Sequence, residues 1–339
     1  MIHEAGWALI AFGAGATLTA VLLWPRRGVL ARLWARRTAE RAGVEDALKH
    51  LYNGEAVGRP AGVVSLAGAL EQPRSRVVHL LARMEEGGLV RSTGEGASLT
   101  EAGRTYALQV LRRHRLWERY LAERTGVAPG DWHAEADRRE HTLSAAEVDA
   151  LSASLGHPRY DPHGDPIPGT DGRMPPALGV ALTALAVGEA GVVVHLEDEP
   201  REVYERLVAA GLGPGTRLEV LDPDHGRVRI RAAGRVHSLE RVVASSIEVE
   251  RVAAGLGPEV GLETLAALGA GEGAEVVRLS PACRGPQRRR LLDLGVVPGT
   301  RITAQLRSAA GDPVAYEIRG ALIALRRDQA EWVLVRRGA

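Results

Sequence analysis

Residues 133–141 read H-A-E-A-D-R-R-E-H, and upstream of them stands the string His114-R-L-W-Glu118. Steps of three and four residues are near neighbours on an α-helix. His133, Asp137, Glu140 and His141 therefore share one helix face, and His114 and Glu118 form a second i, i+4 pair. Imidazoles mixed with carboxylates, in a chain with one cysteine, suit a borderline or hard divalent metal rather than a thiolate-seeking one. The chemistry to expect is metal binding without sulfur. Charged neighbours (Glu135, Arg138, Arg139) crowd the same run, and a charge run is also the mark of a solvated helix face. The elements that hold these residues have to decide between the two readings.

The chain has 339 residues, 43 basic against 42 acidic, a length for roughly two to four domains and a balance that points to no class of partner. The single cysteine, Cys283, excludes an internal disulfide framework and reads as a small hydrophobe in a reducing compartment. No nucleophile–base set or cofactor loop is visible, so an enzyme is not expected.

From Ala5 to Trp24 no residue is charged, and Trp7 and Trp24 stand near the two ends, as interfacial indoles do. The length suits a bilayer core of roughly 30 Å. Met1-Ile-His-Glu4 lacks the basic start of a cleaved signal peptide, whereas Arg26, Arg27, Arg32, Arg36 and Arg37 follow the apolar run. The expectation is a transmembrane helix at 5–24 and a basic juxtamembrane segment at 25–41. That makes a single-pass protein of the inner membrane with the bulk of the chain cytoplasmic.

Between Gly43 and Arg104 the pattern predicts helices at Val44–Tyr52, Val64–Leu70 and Pro73–Glu86. Pro73 starts the third and Gly87-Gly88 stops it. A small hairpin around Gly94-Glu-Gly96 follows. Three helices and a hairpin make a winged helix-turn-helix, expected over 42–105. Its third helix carries Arg74, Ser75, Arg76, His79 and Arg83, types that reach phosphates and base edges in the major groove.

Here the order of parts resembles the DtxR/MntR family of metal-dependent transcriptional repressors, over Gly43–Gly169. The carriers are V-E-D-A-L-K-H-L-Y at 44–52, P-R-S-R-V-V-H-L-L-A-R-M-E-E-G-G-L-V at 73–90 and L-T-E-A-G at 99–103. They continue with R-R-H-R-L-W-E-R-Y-L at 112–121, E-H-T-L-S at 140–144 and, most specific, H-P-R-Y-D-P-H-G-D-P-I-P at 157–168. The resemblance implies an ancillary metal site of His114, Glu118 and His133, and a primary site of Asp46, Asp137, Glu140 and His141. Iron-responsive members hold sulfur residues at the positions of Asp46 and Asp137, and manganese-responsive members hold carboxylates. The carboxylates here favour Mn(II) on ligand hardness. Lys49 is a departure, standing where manganese members supply another Glu; its alternative role is to pair with a carboxylate. The metal-binding and dimerisation domain is expected over 106–156.

A Pro-, Gly- and Asp-rich stretch at 157–177 reads as a linker. Beyond it Leu185-A-V-G-E-A-G-V-Val193 matches Leu268-G-A-G-E-G-A-E-V-Val277, and Gly211-L-G-P-G-T-Arg217 matches Gly295-V-V-P-G-T-Arg301. Gly234–Leu239 corresponds to Gly320–Leu325, so the offset is about 83–86 residues, which implies two copies of one small domain. Short Val/Ile/Leu-rich strands, glycine turns and one helix per copy (202–210; 287–294) indicate a small β-barrel. Both copies resemble FeoA-type, SH3-like domains, expected over 178–253 and 260–337. His195, Glu197, His225 and His237 read as ordinary surface or turn residues.

The fold class expected is multidomain α+β: one transmembrane helix, a winged helix-turn-helix, an all-α metal-binding and dimerisation domain, and two SH3-like β-barrels. The function expected is a membrane-anchored, homodimeric regulator that uses Mn(II) or Fe(II) to bind double-stranded operator DNA and repress metal-ion uptake. A rival reading is a FeoA-type accessory of a ferrous-iron transporter with a vestigial DNA-binding head.

Overall fold

The computed structural model describes residues 29–56, 58–59, 61–94, 96–224, 226–232, 235–252, 262–280 and 283–337. The chain divides into two units: one runs to Arg112 and takes in Glu140–Leu143, the other holds Arg113–Arg139 and the chain from Ser144 onward.

The first unit is built on α1 (Val29–Ala56), α2 (Val63–Ala69) and α3 (Arg74–Glu86), followed by the hairpin β1 (Val90–Thr93) and β2 (Gly96–Leu99). Buried Val77, Leu80 and Met84 fall at steps of three and four along α3, which makes the helix amphipathic. They pack on Leu48 and Leu51 of α1, Leu66 of α2, and Val90 and Leu99 of the hairpin. Pro73, with φ fixed at −58°, precedes the first turn of α3, and Gly88 turns the chain away after it at φ +69°. The hairpin pairs Val90 with Leu99 and Thr93 with Gly96.

The L-T-E-A-G string marks the start of α4 (Glu101–Arg124). Thr100 Oγ1 accepts from Gly103 N at 3.0 Å and donates to the Gly88 and Leu89 carbonyls at 2.6 and 3.1 Å, capping the helix and tying it to the turn after α3. Gly103 lies flush on that turn, where a Cβ would collide with the Leu89 carbonyl.

Two expectations change here. The segment expected as a juxtamembrane strip and the first helix of the winged helix are one continuous 28-residue helix from Val29. The anchor expected at 5–24 lies outside the described residues. Among the described residues no helix is long and apolar enough to cross a membrane; α1, the longest of them, carries arginines and carboxylates along its length. The single-pass inner-membrane placement is corrected accordingly.

In the second unit α4 runs on to Arg124. A 3₁₀ turn at Pro129–Asp131 leads into α5 (Trp132–Glu140), whose last residue belongs to the first unit, and α6 (Ala145–Ser154) follows. Trp132 is buried and donates Nε1–H to the Val127 carbonyl at 3.0 Å, which fixes the start of α5. Ser144 and Glu147 form a capping box on α6. The stretch expected as a linker is tied down over 159–167. Asp161 Oδ1 accepts from the backbone N–H of His163, Gly164 and Asp165 at 2.8–2.9 Å, and Ile167 N–H bonds the Arg159 carbonyl at 2.8 Å.

Two six-stranded sheets complete the chain. One orders β3 (Val180–Ala181), β8 (Ile247–Val252), β4 (Ala190–Leu196), β5 (Arg217–Asp224), β6 (Arg227–Ala232) and β7 (Arg235–Glu240). The other orders β9 (Leu262–Thr264), β14 (Val333–Arg337), β10 (Gly273–Leu279), β11 (Arg301–Arg307), β12 (Val314–Ile318) and β13 (Ala321–Leu325). Their strand order is the same, and each breaks register at matching places: Val193/His195 and Val276/Arg278, then Val220/Asp222 and Ala304/Leu306. Each packs a longer helix, α7 (Arg201–Ala209) or α9 (Gly285–Asp293), and a short one, α8 (Arg241–Ala244) or α10 (Arg327–Glu331), on its own apolar core. Cys283 sits in the second core, and burial pushes its thiol up to about 11, so it is an inert hydrophobe as the sequence implied.

Candidate metal centres

In the first unit Asp46 on α1 meets Glu140 and His141. His141 Nε2 is 3.2 Å from Asp46 Oδ1 and 3.7 Å from Glu140 Oε1. Its other nitrogen, Nδ1, lies 2.7 Å from Glu45 Oε2. Glu45 is fully buried and also accepts from Tyr106 Oη at 2.6 Å and Arg41 Nε at 2.8 Å. With Nδ1 bound to a fixed carboxylate, Nε2 is the atom left to face Asp46 and Glu140; this is how metal-ligating histidines are oriented. Burial works against the His141 imidazolium, but the bonds to Asp46 and Glu45 outweigh it and push the ring up to about 9. Lys49 Nζ reaches Glu140 Oε1 at 3.0 Å, the carboxylate pairing read from the sequence. Two carboxylates and an imidazole that can all lie within 4.8 Å of one another fit a hard or borderline divalent ion.

The second cluster lies in the second unit. His114 Nε2 is 3.0 Å from Glu118 Oε1 and 3.2 Å from His133 Nδ1, which is itself 3.3 Å from Glu118 Oε1. Asp137 faces the other side of both rings, 3.3 Å from His114 Nδ1 and 3.5 Å from His133 Nε2. The cluster does not end with residues singled out from sequence. Asp198, just past β4, reaches His133 Nδ1 at 3.1 Å, and His163 Nε2 stands 3.7 Å from Glu118 Oε1 and 4.0 Å from Asp198 Oδ2.

His163 is 2% exposed, and neither ring nitrogen has a hydrogen-bond partner among the described residues. A buried imidazole aimed at two carboxylates without a hydrogen bond is what an ion between them would satisfy. Burial opposes charge on Glu118, yet the imidazoles of His114, His133 and His163 hold its carboxyl well below the usual carboxylate range. Burial likewise opposes charge on His133, and its bonds to Asp198 and Glu118 raise it to about 10.

His163 and Asp198 were missed because neither shares a helix period with His114 or His133. The only local signal for His163 was the H-G-D-P turn that holds it. Of the remaining histidines, His195 stands 3.6 Å from Asp165 Oδ2 and is largely buried, unlike the surface residue expected. His237 faces the Ala232 carbonyl at 3.3 Å, and His225 lies outside the described residues.

On α3 of the first unit Arg74, Ser75, Arg76, His79 and Arg83 are all exposed, opposite the buried stripe. Arg83 pairs with Glu40 at 3.1 Å.

Comparison with known proteins identifies the domains that carry these residues. Residues 100–169 match the domain described as iron dependent repressor, metal binding and dimerisation domain. Residues 180–251 and 263–337 each match the FeoA domain. The iron-dependent repressor IdeR of Mycobacterium leprae is 33% identical over 220 residues, 60% of this chain and 95% of the relative. The chain belongs to the DtxR/IdeR family of metal-dependent repressors. The diphtheria toxin repressor of Corynebacterium diphtheriae is 30% identical over 221 residues, again 60% of this chain and 95% of the relative. A solved manganese-dependent transcriptional repressor in complex with manganese is 30% identical, covers 62% of this chain and all of its own, and superposes with a TM-score of 0.57. DtxR/IdeR relatives are repressors rather than enzymes, in line with the sequence reading.

Proposed function

We propose that the protein is a metal-activated, DNA-binding repressor that works as a homodimer, takes Mn(II) or Fe(II) as effector and controls metal-ion uptake. The observation that carries this reading is the His141 arrangement: Nδ1 fixed by buried Glu45, Nε2 facing Asp46 and Glu140. Asp46, Glu140 and His141 form the first centre. His114, Glu118 and His133 form the second, joined by His163 and Asp198. Asp137 faces His114 and His133, and the resemblance assigns it to the first centre. A carboxylate at Asp46 in place of a sulfur ligand favours Mn(II) over softer ions. The relatives named for iron and the structure named for manganese support either ion as effector.

A divalent ion at the first centre would supply the charge that ties α1 to Glu140 and His141. Asp46 and Glu140 bring the carboxylates, Glu45 holds the His141 ring in register, and His141 gives up its proton. The effect on DNA binding is linkage: the ion favours the DNA-competent arrangement only by its differential affinity for it. Arg74, Ser75, Arg76, His79 and Arg83 of α3 are the groups for phosphates and base edges. The dimer is assigned to the helices around 114–155, within the matched dimerisation domain. Repressors matched along 60% of the chain favour this over the transport-accessory reading.

Calorimetric titration of the full chain with Mn(II) and Fe(II) tests it. Saturable binding is expected, lost at the first centre in Glu140→Ala and at the second in His114→Ala. Unchanged titrations in both variants would rule out the two centres.

A further inference from the structure

Lys49 lies one turn beyond Asp46 on α1, and its ammonium is 3.0 Å from Glu140 Oε1. The Glu140 side chain is fully buried, while Lys49 keeps 17% of its side chain exposed. A group that attracts a dication thus holds a cation of its own on one of its donor oxygens. The carboxylates of Asp46, Glu140 and Glu45, the cations Lys49 and Arg41, and the His141 ring all meet at this centre.

We propose that Lys49 is a built-in competitor for metal at Glu140, setting the metal concentration at which the centre fills. This rests on reading Asp46, Glu140 and His141 as a metal centre.

Two physical points carry it. An ion that binds Glu140 must break the Lys49 pair or sit within a few ångströms of an ammonium. Repulsion between close charges near a protein surface is worth more than a tenfold change in affinity. The flexible four-carbon stem and partial exposure let Lys49 swing out to water, so the competition is reversible rather than a permanent block.

The test is Mn(II) titration of the full chain by calorimetry, with ion counting by native mass spectrometry, on wild type, Lys49→Gln, Lys49→Arg, Lys49→Glu and His141→Ala. Circular dichroism and thermal unfolding check that each variant folds. Lys49→Gln should bind Mn(II) at this centre about tenfold more tightly. Lys49→Arg should stay near wild type, and Lys49→Glu should bind at least as tightly as Lys49→Gln. If Lys49→Gln and Lys49→Glu bind no more tightly than wild type, while His141→Ala still abolishes binding there, the lysine proposal fails and the centre stands. If His141→Ala also changes nothing, the centre itself is misassigned.

Discussion

His141 shows how one buried carboxylate decides the chemistry of a neighbour. Glu45 takes Nδ1 at 2.7 Å and leaves Nε2 for the donors opposite. Glu45→Ala should weaken Mn(II) binding at the first centre by about 10–100-fold, the usual cost of losing such an orienting partner; equal calorimetric affinity would contradict that role. Tyr106→Phe, which removes another donor to Glu45, should have the smaller effect. The same ring gives a pH dependence. His141 is raised from 6.5 to about 9, so the stability it contributes is whole below pH 6.5 and is lost as pH rises through about 9. His133, raised to about 10, adds in the same direction. Metal binding needs the neutral imidazole, so affinity should rise over the window in which metal-free stability falls. Melting temperatures measured from pH 6.5 to 9 with and without Mn(II) should diverge; parallel curves would contradict this account. Helical spacing made the pairs His114–Glu118 and His133–Asp137 legible, and only the family resemblance joined His133 to His114 and Glu118. Glu45 was not legible, because its partner lies 96 residues away and no local pattern encodes that pairing.

At the level of elements, α3 divides its work by face. Val77, Leu80 and Met84 hold it in the core, and Arg74, Ser75, Arg76 and His79 project to solvent. Arg76→Ala and His79→Ala should therefore reduce DNA binding in a salt-controlled gel shift while leaving Mn(II) affinity unchanged. The salt must be fixed because phosphate contacts make affinity steeply salt-dependent. Full DNA binding in both variants would remove α3 from the interface. At the start of α4 a Cβ on Gly103 has no room beside the Leu89 carbonyl, so Gly103→Ala should cost about 1–3 kcal/mol by forced backbone shifts, read as a lower melting temperature. The helices, the hairpin and their order were legible from apolar period and glycine turns. The continuity of α1 was not. Gly43 looked like a boundary, yet a glycine costs only about 1 kcal/mol inside a helix, and tertiary packing of Ala47, Leu48 and Leu51 carries the helix through it.

Over the whole molecule, the duplication read from three short strings extends to strand order and to paired breaks in register, because turn glycines and core positions recur at one offset. The loop after α6 was read as a linker from its composition. Its Pro, Gly and Asp residues serve instead as turn chemistry: Asp161 collects three backbone N–H groups. Gly164, at φ +102°, lies where a Cβ would strike the Val194 carbonyl, and the His163 carbonyl accepts from Leu196 N–H at 2.9 Å. That seating brings His163 and the first FeoA domain's Asp198 to Glu118, a convergence that needs the folded chain to be seen. The central claim is that metal controls DNA binding. Selection by the full-length protein from a randomised duplex pool, run at fixed salt with Mn(II), with Fe(II) and with chelator, tests it most directly. The account predicts enrichment of a sequence with two related half-sites, one per winged helix of the dimer, in the metal-containing selections alone. Equal enrichment in chelator, or no enrichment under any condition, would contradict it.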